Sequence, residues 1–229
     1  MSKLALVILL CLPRLSEAQP ELGLSLKAGL NAAAWDGEQH YEHKYGFSGG
    51  LAGDLRWPFG ARFSLGAQLA LLYMPRGTES FDRTTGELLA IIRQHYFDIA
   101  VAFRPEARVG SVGGYLLLGG SWSILLNANA VDDMGREISV LFRRHDVALL
   151  AGLGGALHLP SHRLGPFRLD TVFLEARYDR GLLDFIPADD SSRKNRTTSL
   201  MLGVSFALGA KAAVARPGHT KSSTSKPEH

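Results

Sequence analysis

Hydrophobic and polar residues alternate along most of this chain with a period of two. In the segment 197–209, TTSLMLGVSFALG, bulky apolar residues fall on one face and small or polar residues on the other. Successive side chains of a β-strand point to opposite faces, so this pattern predicts a strand with one apolar face. The pattern recurs about eight times, at approximately 22–31, 45–57, 62–73, 89–104, 113–125, 143–159, 168–179 and 197–209.

The connections between the predicted strands alternate between long and short. Long polar loops are predicted at 32–44, 74–87, 127–142 and 181–196. The other connections are the turn Pro58–Gly60 and two somewhat longer ones, at 105–112 and 160–166. An even number of strands with a short-turn rim and a long-loop rim is typical of outer-membrane barrels. We therefore predict an all-β fold, an eight-stranded antiparallel up-and-down transmembrane β-barrel, whose closure pairs the backbone amides inside the membrane.

The two ends of the chain lack this alternation. Residues 1–18 combine a charge at Lys3, an apolar run and a small residue at Ala18, as in a cleaved signal peptide. Residues 210–229 are polar and rich in Ser, Thr and Lys, so we expect a disordered periplasmic tail. The domain prediction is a signal peptide over 1–18, a barrel over 19–209 and a tail over 210–229.

Charge and cysteine content exclude two classes of function. The formal net charge of +3 resides in the leader and the tail, so the predicted barrel carries about −1. We therefore expect no nucleic-acid partner. The only cysteine, Cys11, lies in the leader, which leaves the mature protein without disulfide or thiol chemistry.

Large aromatic residues gather toward both ends of the predicted strands. Two girdles of aromatic rings are favoured where a barrel meets the two membrane interfaces. The predicted interface aromatics are Trp57, Phe63, Phe103 and Phe206 at the short-turn rim, and Trp35, Tyr73, Trp122 and Tyr178 at the long-loop rim.

Charges of both signs occupy the inward phase of the strands. The interior of an eight-stranded barrel is just wide enough for side chains to fill it. An unpaired charge there is costly, so we expect a salt-bridged plug, with a gated narrow conductance as the alternative. The predicted lumen charge network comprises Lys27, Asp54, Arg56, Asp98, Arg104, Arg144, Asp146, Glu175, Arg177 and Asp179.

Signals for catalysis and metal binding are weak. Ser80 and His95 near the long-loop rim are candidates for lipid hydrolysis, but no spacing brings them together convincingly with an acid. His40 and His43 lack a third metal ligand. We therefore predict no enzyme activity, no cofactor and no metal. The fifth strand, 113–125, is apolar in both phases, so its faces cannot be assigned.

The order of these features resembles the PorT-like outer membrane protein beta-barrel family, within the porin superfamily of OmpA/OmpX-type eight-stranded barrels. The resemblance covers nearly all of the mature chain and rests on segments such as GFSGGLAGDLRW, YFDIAVAFRPEA and DVALLAGLGGALHL. It implies a monomeric, non-enzymatic barrel in the outer membrane of a Gram-negative bacterium, and some members assist protein secretion. The basic tail after Phe206 departs from the usual pattern of a barrel that ends at its last strand.

Four functions remain open at this point. The first is a structural or interaction protein whose partners are outer-membrane lipid, the barrel-assembly machinery during biogenesis and an unidentified protein or surface ligand at the loops. The second is a small channel or PorT-like accessory of protein secretion. The third is an outer-rim lipid hydrolase, and the fourth is a soluble barrel that binds an apolar ligand.

Overall fold

The computed structural model describes residues 19–36, 40–60, 62–82, 84–139, 142–164, 167–183 and 194–208. The predicted signal peptide and the predicted tail lie outside these described residues. The described part of the chain forms nine strands: β1 (Glu21–Asp36), β2 (His40–Phe59), β3 (Phe63–Phe81), β4 (Leu88–Phe103), β5 (Glu106–Val109), β6 (Val112–Asp132), β7 (His145–Leu164), β8 (Phe167–Gly181) and β9 (Lys194–Leu208).

Eight long strands close into one antiparallel ring. β1 pairs with β2 on one side and with β9 on the other, and this second pairing joins the two ends of the sheet. The short strand β5 continues β4, because it pairs with the same neighbours, β3 and β6. Pro105 separates the two pieces, since proline has no N–H to donate to the ladder. The predicted eight-stranded up-and-down barrel is confirmed.

Several strands run further than predicted. β3 continues to Phe81 because Met74, Arg76, Thr78 and Ser80 keep the inward phase, although Pro75 and Gly77 had suggested a loop. The connection predicted at 105–112 consists mostly of β5 and a two-residue turn between Val109 and Val112. Gly110 in that turn has a φ of +62°, which a residue with a Cβ rarely adopts.

The outer surface of the ring is rich in leucine. Leu26, Leu69 and Leu153 expose 48%, 49% and 61% of their surface, whereas Ser25 and Lys27 on the inward phase are buried. An apolar outside and a polar inside is the pattern of a barrel surrounded by lipid. The described part of the chain contains no helix that is long and apolar enough to span a membrane.

The faces of β6, which the sequence left open, follow from its partners. Tyr115 and Leu117 point into the lumen, whereas Leu116 and Leu118 face outward. Tyr115 lies directly opposite Gly154 of β7, where an added Cβ would come within 2.2 Å of the tyrosine ring. The glycine thus provides the space in which the ring crosses the lumen.

Candidate functional site

Ionic side chains fill the lumen on the short-turn side. The Lys27 ammonium lies 2.9 Å from a carboxylate oxygen of Glu175, and the Arg104 guanidinium lies 2.8 Å from Asp54. We call Lys27, Asp54, Arg104 and Glu175 the first ionic layer. All four are buried, so each pair compensates charges that water does not reach.

Neutral donors complete the first ionic layer. Gln68 accepts a hydrogen bond from Lys27 and donates one to Asp54, both over 2.9 Å. The Tyr115 hydroxyl donates to Glu175 over 3.1 Å, and the Arg104 guanidinium lies 3.9 Å from the centre of the same ring. These contacts join the two ion pairs into one network, which restricts the rearrangement that a gate would need.

A second ionic network occupies the long-loop side. Arg76 lies 2.8 Å from Asp98 and 3.3 Å from Asp146, while Arg177 lies 2.6 Å from Asp179 and 3.6 Å from Asp98. These five residues are buried and form what we call the second ionic layer. It contains two guanidinium groups and three carboxylates, so its formal charge is negative.

Apolar side chains lie between the two ionic layers on β3, whereas on β8 the layers adjoin at Glu175 and Arg177, which are consecutive inward residues. Leu72, Met74, Leu117 and Met201 are at most 1% exposed and belong to one packed cluster, which we call the apolar layer. On β3, Leu72 and Met74 lie between Gln68 and Arg76, which contact the first and second ionic layers respectively. Along β3 the lining of the lumen is therefore layered: ionic, apolar and ionic.

The predicted lumen charges lie in the interior with one exception. Lys27, Asp54, Arg56, Asp98, Arg104, Asp146, Glu175, Arg177 and Asp179 are all buried. The prediction for Arg144 is wrong: this residue is exposed in the bend that precedes β7. β7 begins only at His145, so Arg144 has left the alternating part of the sheet and turns to solvent.

Sequence reasoning missed two members of the lumen network. Arg76 was assigned to a loop, although its inward phase follows from Leu72 and Met74. Glu106 lies just after Pro105 and contacts Arg104 at 3.4 Å and His158 at 2.9 Å. Proline and glycine in the flanking sequence indicated loops at both places. Counting every second residue along each strand would have placed Arg76 and Glu106 on the inward face.

The aromatic prediction is also wrong for one residue. Trp35 is 2% exposed and packs with Ile92, Ala130 and Phe142 inside the long-loop end of the barrel. Lys27 lies eight residues earlier on the same strand and faces inward. Because eight is an even number of residues, Trp35 faces inward too. Partly or largely exposed positions are occupied by Trp57, Phe63, Phe103, Phe206, Tyr73, Trp122 and Tyr178.

The residues considered for catalysis do not converge. Ser80 is buried on the inward phase of β3, whereas His95 is partly exposed on the outward phase of β4 and stacks against Tyr73. The barrel wall therefore separates the hydroxyl from the imidazole. Among the described residues, no group of three or more His, Cys, Asp or Glu side chains is arranged to hold a metal ion.

The loop after β6 begins in a turn held by Asp132. Its carboxylate accepts backbone N–H groups of Arg136 and Met134, at 2.7 and 3.0 Å, and lies 2.7 Å from the Arg136 side chain. The hydrogen bond from the Arg136 N–H, aided by the Arg136 charge, lowers the pKa of Asp132 from its usual value.

Asp132→Asn is expected to accelerate amide hydrogen exchange at Met134 and Arg136, because the amide oxygen is a weaker acceptor than the carboxylate. In the unmodified protein the protection should be present at neutral pH. It should be lost only as pH falls through the lowered pKa, below about pH 4. Asp133→Asn is the matched control, and equal acceleration in both variants would contradict a specific role of Asp132.

A closed ring with leucines outside and ionic layers inside defines the class of an outer-membrane β-barrel. The family model described as outer membrane protein beta-barrel domain matches residues 17–187. The chain belongs to this family. The match does not specifically support the PorT-like subgroup. It ends before β9, the strand that closes the ring in the structure.

Three solved outer-membrane proteins are similar to this chain. Ail of Yersinia pestis is 20% identical, with 81% of this chain and 99% of Ail covered and a TM-score of 0.40. OprG of Pseudomonas aeruginosa is 11% identical, with 84% and 97% covered and a TM-score of 0.39. Neisserial surface protein A is 13% identical, with 80% and 96% covered and a TM-score of 0.33. No curated protein matches the chain.

Proposed function

We propose that this protein is a non-enzymatic outer-membrane barrel that is closed to ions and acts as a structural or interaction protein through its long-loop rim. The observation that carries the proposal is the filled, layered lumen. The short-turn rim, where β1 begins and β9 ends, would face the periplasm of a Gram-negative cell. The preceding signal peptide would direct export.

The apolar layer is the barrier to conduction. An ion that entered from either rim would have to shed its water against Leu72, Met74, Leu117 and Met201, which offer no polar replacement. Narrow apolar constrictions exclude water and thereby stop ion flow. The ionic layers on both sides add paired charges whose separation would leave them uncompensated.

The long-loop rim provides the surface for a partner. Trp35, Ile92, Ala130 and Phe142 pack together beneath this rim, so a partner there would meet an apolar cluster inside the barrel end. Asp132 holds the start of the loop after β6. We assign the unidentified protein or surface ligand to this rim, while lipid contacts the leucine-rich outside.

Planar-bilayer recording tests the closed lumen. The refolded mature protein is expected to give no unitary conductance steps. The triple variant Leu72→Ser, Leu117→Ser and Met201→Ser is expected to introduce brief steps, because smaller polar side chains admit water into the apolar layer. Leu26→Ser, Leu69→Ser and Leu153→Ser, at outward positions, form the matched control and should remain silent.

Other outcomes would favour the alternative functions. Sustained steps from the unmodified protein would support the small channel. Loss of protein export on deletion of the gene would support the secretion accessory. A change in lipid A that disappears in Ser80→Ala and His95→Ala would support the hydrolase, and a protein that stays soluble without detergent would support the ligand-binding barrel.

A further inference from the structure

An apolar groove lies on the outer surface of the barrel near the short-turn rim. Its volume is about 930 Å³, and it is lined mainly by Phe59, Phe63, Leu65, Pro105, Gly114 and Leu116. Phe63 and Leu116 are 62% and 52% exposed, which places them on the outward face of the wall. The groove therefore opens toward the membrane rather than along the lumen.

Strand pairing explains why the wall is recessed at this point. Phe63 pairs with Ala107, and Ala107 pairs with Gly114, so two small residues follow a phenylalanine in one row across the sheet. A Cβ added at Gly114 would have no neighbour closer than 3.9 Å, so the space outside this glycine is open. Bulky Phe63 and Leu116 border the recess.

A polar pocket of about 270 Å³ adjoins the groove and shares Phe63, Ser64 and Glu106 with it. Arg62 and Arg108 line this pocket and are exposed at the rim. Neither arginine side chain has a carboxylate partner within the described ranges of the chain, because Asp170 pairs with Arg56 and Arg168 while Glu106 pairs with Arg104 and His158. The Arg108 side chain donates to the backbone oxygen of Gly110. Four arginines and three carboxylates, Glu21, Glu106 and Asp170, line this pocket, so a small excess of positive charge lies beside the apolar groove.

We propose that this pair of pockets binds one glycerophospholipid from the membrane leaflet at the short-turn rim. An acyl chain fills the groove along Phe63 and Leu116, and the headgroup phosphate binds Arg62 and Arg108. Guanidinium groups suit phosphate because they present several N–H donors in one plane. The inference rests on the proposed membrane-embedded barrel, and it adds a defined lipid site to a wall that otherwise contacts lipid nonspecifically.

The test is native mass spectrometry of the refolded full chain, titrated with 1-palmitoyl-2-oleoyl-phosphatidylglycerol in detergent. The unmodified protein is expected to retain one lipid. Gly114→Leu fills the groove and should weaken retention at least about tenfold. Arg62→Gln with Arg108→Gln should weaken it by a similar factor, because the phosphate loses both charged donors.

Matched controls separate this site from general lipid contact. Gly53→Leu places the same side chain on an exposed outward glycine with no atom within 4 Å of its added Cβ, and it should retain lipid normally. Arg93→Gln removes an exposed arginine near the other rim and should also be without effect. Heat-modifiable gel mobility of every variant reports whether the barrel has formed.

Three outcomes would overturn the lipid site while leaving the barrel intact. Equal retention by Gly114→Leu and Gly53→Leu would exclude the groove. Retention unaffected by the double arginine change, with palmitate competing as well as the phospholipid, would indicate a fatty-acid site instead. Preference for lipid A over phosphatidylglycerol would place the ligand in the opposite leaflet. Loss of heat-modifiable mobility in the unmodified protein would instead count against the proposed function.

Discussion

Lys27→Met is expected to destabilise the barrel by roughly 3–5 kcal/mol, the usual cost of removing one partner of a buried ion pair. The variant leaves the Glu175 carboxylate in the first ionic layer without its cation. Within the described part of the chain, the Tyr115 hydroxyl would still donate to Glu175. Methionine has nearly the length of lysine, so the loss reflects charge more than volume.

A double-mutant cycle isolates the charge effect. Glu175→Gln alone should also destabilise the barrel, because Lys27 loses its carboxylate at 2.9 Å. The double variant Lys27→Met with Glu175→Gln should be more stable than the sum of the single effects predicts. Urea titration in lipid vesicles, followed by the gel mobility of unheated samples, measures each free energy of unfolding.

Leu26→Met controls for the methionine side chain, because Leu26 neighbours Lys27 but faces outward. It should change the unfolding midpoint little. Additive losses in the cycle would contradict the proposed coupling between Lys27 and Glu175. A Lys27→Met variant as stable as the unmodified protein would show that water or another donor compensates Glu175.

The architecture was predictable from sequence because a barrel imposes one periodicity on nearly every residue. Leu26 and Lys27 are neighbours in sequence, yet Leu26 faces outward and Lys27 faces the lumen, since alternate residues take opposite faces. The alternation of long and short connections then fixed which strand ends share a rim. Strand ends were less predictable: Pro75 and Gly77 indicate a loop by propensity, but pairing with β4 keeps them in β3.

The composition of the lumen was only partly predictable. Inward charges stand out among leucines and glycines, which is why Asp54 and Glu175 could be assigned from phase alone. The apolar layer could not, because Leu117 lies in a segment that is apolar on both faces. Which charges pair also depends on barrel geometry: Lys27 and Glu175 are 148 residues apart in sequence.

The position of Trp35 depends on its place in the strand alternation rather than on its residue type. A tryptophan near a strand end fits a membrane interface by residue type, yet its phase places it inside the barrel. The alternation decides the orientation of Trp35, because a shift of β1 by one residue would turn all of its inward side chains to the outer face. Residue type predicts a membrane-interface position only when the alternation also places that residue on the outward face.

Arg76→Met is expected to destabilise the barrel by about 3–5 kcal/mol, whereas Asp146→Asn should change stability by less than about 1 kcal/mol. The second ionic layer has two guanidinium groups and three carboxylates. Without Arg76, only Arg177 would balance Asp98, Asp146 and Asp179 within the layer. Removing the charge of Asp146 instead brings the layer to neutrality, and Asn195, now 2.8 Å from Asp146, can still donate to the new amide oxygen.

Urea titration in vesicles compares these variants with Arg76→Lys, which should lie between Arg76→Met and the unmodified protein. Lysine keeps the charge but loses the planar donors that reach both Asp98 and Asp146. If Arg76→Met fails to fold, the refolding yield of Arg76→Lys still shows how much of the stabilisation comes from the positive charge and how much from the planar donors. Equal destabilisation by Arg76→Met and Asp146→Asn would refute the argument, because charge balance predicts that removing a cation and removing an excess anion have different effects.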